Sequence, residues 1–329
     1  MNWKKVFSML AAVVCALGAE AAQPHITTAV SYNGIWSVGP NFIYHIDPGG
    51  SVVVNKANGN CYMEILKTSA GSPAEVWLEG GTAQAEVLAL RGEYATYFQK
   101  SGTLTLTGGG FLIDGGNVVG SRTWLAGGTC NATVNFRNTV VAEFRMSGAK
   151  LIAPTFGGAN MGKAKIYFDL TNTAYAVTGD YQTSNRYAIK ATTPITQAPM
   201  SLTITGTPVS GCAYGLVDGI TNDTFFTQTT VSVPAGWELA RRGGKLLLIE
   251  SAPLAVKTAT WTGAAGDGNP RTPGNWICYA GDGTVIENIL PGFDTPVQVP
   301  AGTANFTFPT DRAIVFGELR FQVNVYTLT

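Results

Sequence analysis

The side chains able to do chemistry in this 329-residue chain are few and scattered. There are two histidines, His25 and His45, both near the N-terminus, so a histidine-based triad or a zinc site has little to draw on. Both read as ordinary polar residues ahead of the repetitive part of the chain. Gly-x-Ser-x-Gly, a P-loop and a dinucleotide fingerprint are missing in usable form, and Gly108-Gly109-Gly110 precedes a strand instead of a helix. Carboxylates are the remaining candidates. A glycosidase needs two of them facing each other across a sugar bond, roughly 5 to 9.5 Å apart. Asp114, Asp169, Asp180, Asp218 and Asp223 could supply such a pair only if the fold gathers them. Most lie beside Gly or Asn, as in Ile113-Asp114-Gly115 and Gly179-Asp180, where a turn role suffices. Asp267-Gly268-Asn269 and Asp282-Gly283 are too poor in carboxylates for a calcium loop and read as glycine turns. Trp261 and Trp276 could stack on sugar rings, but inward packing is the default for tryptophan in a small β-module. Arg241-Arg242 reads as a solvated pair in a turn. No catalytic, metal-binding or cofactor-binding residue is assigned on these grounds.

The N-terminus has the layout of an export signal. Lys4-Lys5 precede an apolar run from Val6 to Gly18, and Ala19-Glu20-Ala21 offers small residues for cleavage before Ala22. At 13 residues the apolar run is shorter than the ~20 needed to span a bilayer, and no later segment is longer. Residues 1–21 are therefore expected to be a signal peptide and the chain to be extracellular or surface-located. The 21 basic and 21 acidic residues lose Lys4, Lys5 and Glu20 on cleavage, which leaves a net charge near −1. That balance argues against nucleic-acid binding and against polybasic membrane binding. With 13% charged and 45% hydrophobic residues, the chain is no disordered tail. Cys61, Cys130, Cys212 and Cys278 would meet an oxidising compartment. Their wide spacing resembles no zinc site, and both disulfide-bonded and free, buried states are open.

The elements that must carry these residues are strands. Amphipathic helical periodicity over 12 or more residues is lacking, whereas short alternating runs abound: Glu75-Val76-Trp77-Leu78, Thr103 to Thr107, Lys165 to Phe168 and Ser201 to Thr205. Lys245 to Ile249 reads as a strand covered on both faces. Gly-Gly, Asp-Gly and Ser-Gly pairs punctuate them with the positive φ angles that tight turns need. The turns recur. Trp77-Leu78-Glu79-Gly80-Gly81-Thr82 returns 47 residues on as Trp124-Leu125-Ala126-Gly127-Gly128-Thr129, and Ser101-Gly102-Thr103 has a weaker echo at Ser147-Gly148-Ala149. Glycines 81, 102, 128 and 148 are thus spaced by 20 to 26 residues, the length of one solenoid coil. Such coils must stack to satisfy their edges and bury their apolar side.

The run Tyr97-Phe98-Gln99-Lys100-Ser101-Gly102-Thr103-Leu104-Thr105-Leu106-Thr107-Gly108 resembles the repeats of bacterial autotransporter passenger regions. The stretch from Gly215 through Trp237-Glu238-Leu239 to Ile249 resembles the closing segment of such a solenoid. The likeness covers roughly residues 50–250 and implies a right-handed parallel β-helix displayed at the cell surface. The membrane β-barrel that ends a full autotransporter is missing, so self-translocation does not carry over. After residue 255 the text changes to Trp261-Thr262-Gly263…Gly266-Asp267-Gly268…Asn275-Trp276, similar to modules of large secreted β-repeat proteins. Pro291 to Gly302 resembles the first turn of such a module, with Leu319, Phe321, Val323 and Val325 as one more strand. The expectation is all-β: a signal peptide (1–21), a β-solenoid (22–255) and a partial β-rich C-terminal module (256–329), with paired β-sandwich domains as the alternative. The function expected is an adhesin-like or structural one, non-enzymatic, with an extracellular glycan or surface protein as partner. The alternatives are a polysaccharide-degrading β-helix enzyme and a carbohydrate-binding module.

Overall fold

The computed structural model describes residues 23–321 apart from 58–60, 68–73, 115–119, 138–140, 171–173, 178–185, 210–212, 222–224, 226–227, 243, 251–255, 282, 287–288, 292–294 and 302–317. The signal segment, Asp180, Cys212, Asp223, Asp282, Val323 and Val325 lie outside the described residues. The fold is all-β, a solenoid of about seven turns built mostly from parallel sheets, with a short C-terminal sheet. Stacked parallel coils exclude the β-sandwich alternative. The chain divides into two compact units, one running to residue 168 with 190–203 and 223–231, the other made of 169–189, 204–222 and 232–329.

In the first unit each turn of the chain lays one strand on each of two or three faces. The first rung is β1 (His25–Ile26), β2 (Ala29–Asn33) and β3 (Ile35–Val38), and the second is β4 (Phe42–Ile46), β5 (Ser51–Asn55) and β6 (Tyr62–Lys67). Then come β7 (Ala74–Leu78) with β8 (Thr82–Gly92), and β9 (Thr96–Gln99) with β10 (Thr103–Asp114). The next rungs are β11 (Arg122–Leu125), β12 (Thr129–Asn131) and β13 (Val134–Phe136), then β14 (Ala142–Met146), β15 (Lys150–Ala153) and β16 (Phe156–Gly157), followed by β17 (Ala164–Asp169). The first face is the parallel series β1-β4-β7-β9-β11-β14-β17 and the second is β2-β5-β8-β10-β12-β15. The third is β3-β6-β8-β10-β13-β16, the long strands β8 and β10 serving both. His25 and His45 lie in β1 and β4, inside the coil and not ahead of it as the sequence suggested.

Alternation sets which side chains go inward. In β7 Ala74, Val76 and Leu78 are buried, and in β14 Ala142, Phe144 and Met146 are. Because neighbouring strands are in register, like positions stack into columns. Ile46, Leu78, Gln99, Leu125 and Met146 form one such column, all at zero exposure. Burying each aliphatic member contributes about 1.5–3 kcal/mol. Gln99 is the polar exception. Its Nε2 donates to the carbonyls of Gly102, Gly127 and Thr129 at 3.1–3.3 Å, and its Oε1 accepts from Tyr97 Oη. The amide therefore ties the turn of its own rung to that of the next.

The turn from the first face to the second is a column of glycines. The amides of Thr82, Thr103, Thr129 and Lys150 donate to the carbonyls of Gly50, Gly81, Gly102 and Gly128, each one rung back, at 2.9–3.1 Å. A Cβ on Gly102 would lie 2.2 Å from the Gly81 oxygen, and φ there is +86°. The next place in the column belongs to Ala149, because Lys150 pairs with Thr129. Gly148 lies one position earlier, so the sequence echo Ser147-Gly148-Ala149 is out of register with Ser101-Gly102-Thr103 by one residue.

Beyond β17 the chain runs through β18 (Tyr187–Ile195), β19 (Ser201–Thr205), β20 (Tyr214–Ile220), β21 (Thr230–Ser232), β22 (Trp237–Arg242) and β23 (Lys245–Glu250), of which β20, β22 and β23 lie wholly in the second unit. Strand β23 pairs antiparallel with both β20 and β22, and Leu246 to Ile249 are all buried, as a strand covered on both faces requires. The C-terminal sheet has the order β26-β25-β24-β27-β28, from β24 (Thr258–Trp261), β25 (Trp276–Tyr279), β26 (Val285–Ile286), β27 (Pro296–Val299) and β28 (Glu318–Phe321). Trp261 and Trp276 pack edge to face inside it, centroids 5.0 Å apart, with Cys278 and Val297. They are core residues, and neither offers a face to a sugar.

Replacing Gly102 by Ala is expected to destabilise the protein by about 1–3 kcal/mol from backbone strain alone. The clash with the Gly81 carbonyl adds to that. Gly266, with φ +74° and open space around its Cβ position, isolates the strain contribution. Thermal unfolding followed by circular dichroism checks this: Gly102→Ala must lower the melting temperature more than Gly266→Ala does.

Candidate binding face

The first face of the solenoid turns two outward columns to solvent. Inward burial of Val76, Tyr97, Thr123 and Phe144 forces their neighbours outward. One outward column runs Glu75, Thr96, Arg122, Glu143, Lys165. The other runs His25, His45, Trp77, Phe98, Trp124, then Arg145 and Tyr167. Five consecutive rungs therefore place an aromatic ring at one position of the parallel sheet.

The rings touch one another along the solenoid. His25 stacks on His45 at 4.6 Å and 9°, His45 meets Trp77 at 5.5 Å, and Trp77, Phe98 and Trp124 pack edge to face at 4.7 and 5.0 Å. Edge-to-face packing matches the positive rim of one ring to the negative face of the next, worth about 0.5–1.5 kcal/mol a pair beyond burial. Trp124 remains 42% exposed, the most open large aromatic of the column.

Polar groups flank this band and are engaged with each other. Trp77 Nε1 donates to Glu75 Oε2 at 2.6 Å and Trp124 Nε1 to Ser147 Oγ at 3.0 Å. Glu143 takes both Arg122 (3.7 Å) and Arg145 (3.3 Å), and the Arg145 guanidinium lies 4.4 Å over the Tyr167 ring. Glu79 accepts from Lys100 (3.1 Å) and from His45 Nδ1 (3.3 Å), and His25 Nδ1 donates to Asp47 at 2.9 Å. Surface pairs of this kind add little stability. Their effect is to leave a rim of alternating sign around an apolar band.

The residues singled out for chemistry are placed differently. Asp218 is committed to Lys245 at 2.9 Å, whose ammonium also lies 4.7 Å over the Tyr187 ring. Asp114 ends β10 in register with Arg91, a cation, and Asp169 ends β17. Among the described residues no group of three or more His, Cys, Asp or Glu side chains is arranged to hold a metal. Cys61, Cys130 and Cys278 are unpaired and buried. Cys61 donates to the Val54 carbonyl at 2.7 Å and accepts from the Glu86 amide. Burial pushes the Cys130 thiol far up and that of Cys278 to about 11, so both are core residues with little nucleophilic character. The Asp267 carboxylate is filled by its own loop. It accepts from Thr272 Oγ1, the Asn269 amide and Asn275 Nδ2, and Asn275, fully buried, also binds the Ala265 amide. That explains the Asp267-Gly268-Asn269 sequence as a structural turn.

The aromatic column is the feature that residue-by-residue reading of the sequence passes over. Its signal was present in the Trp-Leu repeat, because alternation puts Trp77 and Trp124 opposite the buried Leu78 and Leu125. Comparison of the chain with protein-family models, curated proteins and solved structures finds no match.

Hydrogen bonds to the ionised form, chiefly from Thr272 and then from Asn269 and Asn275, lower the Asp267 pKa. A lowered folded pKa contributes stability above the ordinary carboxyl range and loses it as pH falls through the folded value. Asp267→Ala is therefore expected to lower the unfolding midpoint of the C-terminal module at pH 7. The gap to wild type should close as pH falls below about 4. Fluorescence of the buried Trp261–Trp276 pair reports the transition, and a gap independent of pH would contradict the assignment.

Proposed function

We propose that the protein is an exported β-solenoid with an adhesin-like role, binding an extracellular partner without covalent chemistry through the first face. The aromatic column from His45 to Trp124 carries this reading, because a row of stacked, partly exposed rings bordered by paired charges is suited to docking. Contiguous exposed apolar surface rimmed by polar residues is a mark of interaction sites. Export is supported by Lys4-Lys5, the apolar run Val6 to Gly18 and the small residues Ala19 and Ala21. The stacked coils are consistent with the resemblance of Tyr97 to Gly108 to autotransporter passenger repeats. In this reading the extended sheet is a rigid display platform, and its length supplies many weak contacts in place of one deep pocket.

Incubation of the purified exported chain with immobilised polysaccharides and matrix proteins, scoring both retained protein and released fragments, tests the proposal. Retention without release is expected. Combined replacement of Trp77 and Trp124 by Ala should lower retention at least about tenfold while leaving the circular dichroism spectrum unchanged. Release of oligosaccharide that disappears in Asp114→Asn or Asp169→Asn would replace this reading with a hydrolase or lyase.

A further inference from the structure

The geometry points to an extended, uncharged, β-linked polysaccharide chain as the ligand of the aromatic column, lying parallel to the solenoid axis with sugar rings on Trp77 and Trp124. This rests on the docking reading of the first face and names the ligand class that fits it.

Spacing is the first ground. Trp77, Phe98 and Trp124 occupy three consecutive rungs in register, so the two tryptophans stand two rungs apart. At the inter-strand spacing of about 4.8 Å that is about 9.6 Å along the axis. The span is close to that of a two-sugar repeat in an extended β-linked chain, in which alternate residues present the same face. A ring on Trp77 and the next equivalent ring on Trp124 then need no distortion of the polymer. An α-linked chain that coils cannot keep that spacing.

Ring chemistry is the second ground. A pyranose presents a face of C–H groups carrying slight positive charge, complementary to the negative face of an indole. Trp124, 42% exposed, has the area for such contact, and Phe98 between the tryptophans keeps the band apolar. Charge is the third. Glu143 is shared by Arg122 and Arg145, Glu79 is held by Lys100, and Glu75 accepts from the Trp77 indole, so the rim offers hydrogen-bonding groups of both signs along its length. A polyuronate or sulfated glycan would meet carboxylate as well as cation, since Glu143 stands between Arg122 and Lys165 in the outward column. Neutral hydroxyls can both donate to the carboxylates and accept from the guanidinium groups.

Calorimetric titration with β-1,4-linked neutral oligosaccharides of two to eight units, beside α-1,4-linked and polyuronate oligomers of the same lengths, tests this. Affinity should rise most between two and four units, where the second tryptophan is first reached. Trp124→Ala should cost about tenfold and abolish that rise, while Trp124→Phe recovers part of it. Equal or tighter binding of the α-linked or anionic series would overturn the ligand class. A face that still supports Trp-dependent retention on another partner, with no oligosaccharide bound, would also overturn it and leave the docking reading intact. If the double Trp77/Trp124 variant is retained as well as wild type, the docking reading itself fails and the ligand class with it.

Discussion

Everything in the first unit follows from one constraint: consecutive coils approach to the distance of a parallel hydrogen-bonded ladder, and they do so in register. At the corner between the first and second faces this brings the Thr103 amide to the Gly81 carbonyl and the Thr129 amide to the Gly102 carbonyl. No side chain fits there, since a Cβ on Gly102 or Gly128 would stand 2.2 or 2.1 Å from a carbonyl oxygen one rung back. The glycine column thus permits the stacking, and the stacking converts single residues into columns. A buried column such as Leu78, Gln99, Leu125 is one product, and the solvent-facing column Trp77, Phe98, Trp124 is the other. Core and candidate site are two sides of the same register.

Much of this was legible in the residues because strand alternation is local. The pattern of Glu75 to Leu78 and of Thr103 to Thr107 states directly which side chains are inward. The 47-residue repeat of Trp-Leu-x-Gly-Gly-Thr was also legible, and its physical meaning is two rungs, with Phe98-Gln99 holding the intermediate one. The covered strand Lys245 to Ile249 was plain from its unbroken apolar run. Register between coils was harder. Coils of unequal length separate Thr82 from Thr103 and Thr103 from Thr129, so a sequence echo can be one residue out, as Gly148 is. A shift of one residue exchanges inside for outside along the strand. A column of outward rings cannot be drawn until that register is known.

The chemistry-bearing residues are hard to place from sequence for a different reason. Their types announce possible roles, but their partners lie at long range or in a local loop that sequence alone does not close. Asp218 is neutralised by Lys245 across an antiparallel pair, and Asp267 is saturated by donors within eight residues. Cys61, Cys130 and Cys278 fill core positions as small apolar groups. No third ligand or nucleophile accompanies His25 and His45 in the sequence. Coil stacking gives them another place, at the end of the aromatic column.

Mutual packing accounts for part of that column. Trp77 has His45 on one side and Phe98 on the other, and Phe98 lies between two indoles, so each recovers contact energy from its neighbours. The same account does not extend to Trp124. It has Phe98 on one side, but on the other the next rung carries Arg145, whose guanidinium pairs with Glu143 and covers Tyr167. An indole left 42% exposed at that step gains no further ring contact, and water against it is unfavourable. Its Nε1 donates to Ser147 Oγ at 3.0 Å, which anchors the polar end of the indole between β14 and β15. The exposed part of this indole is the surface that the docking reading assigns to a partner, and the edge-to-face contacts of the ladder hold it in place.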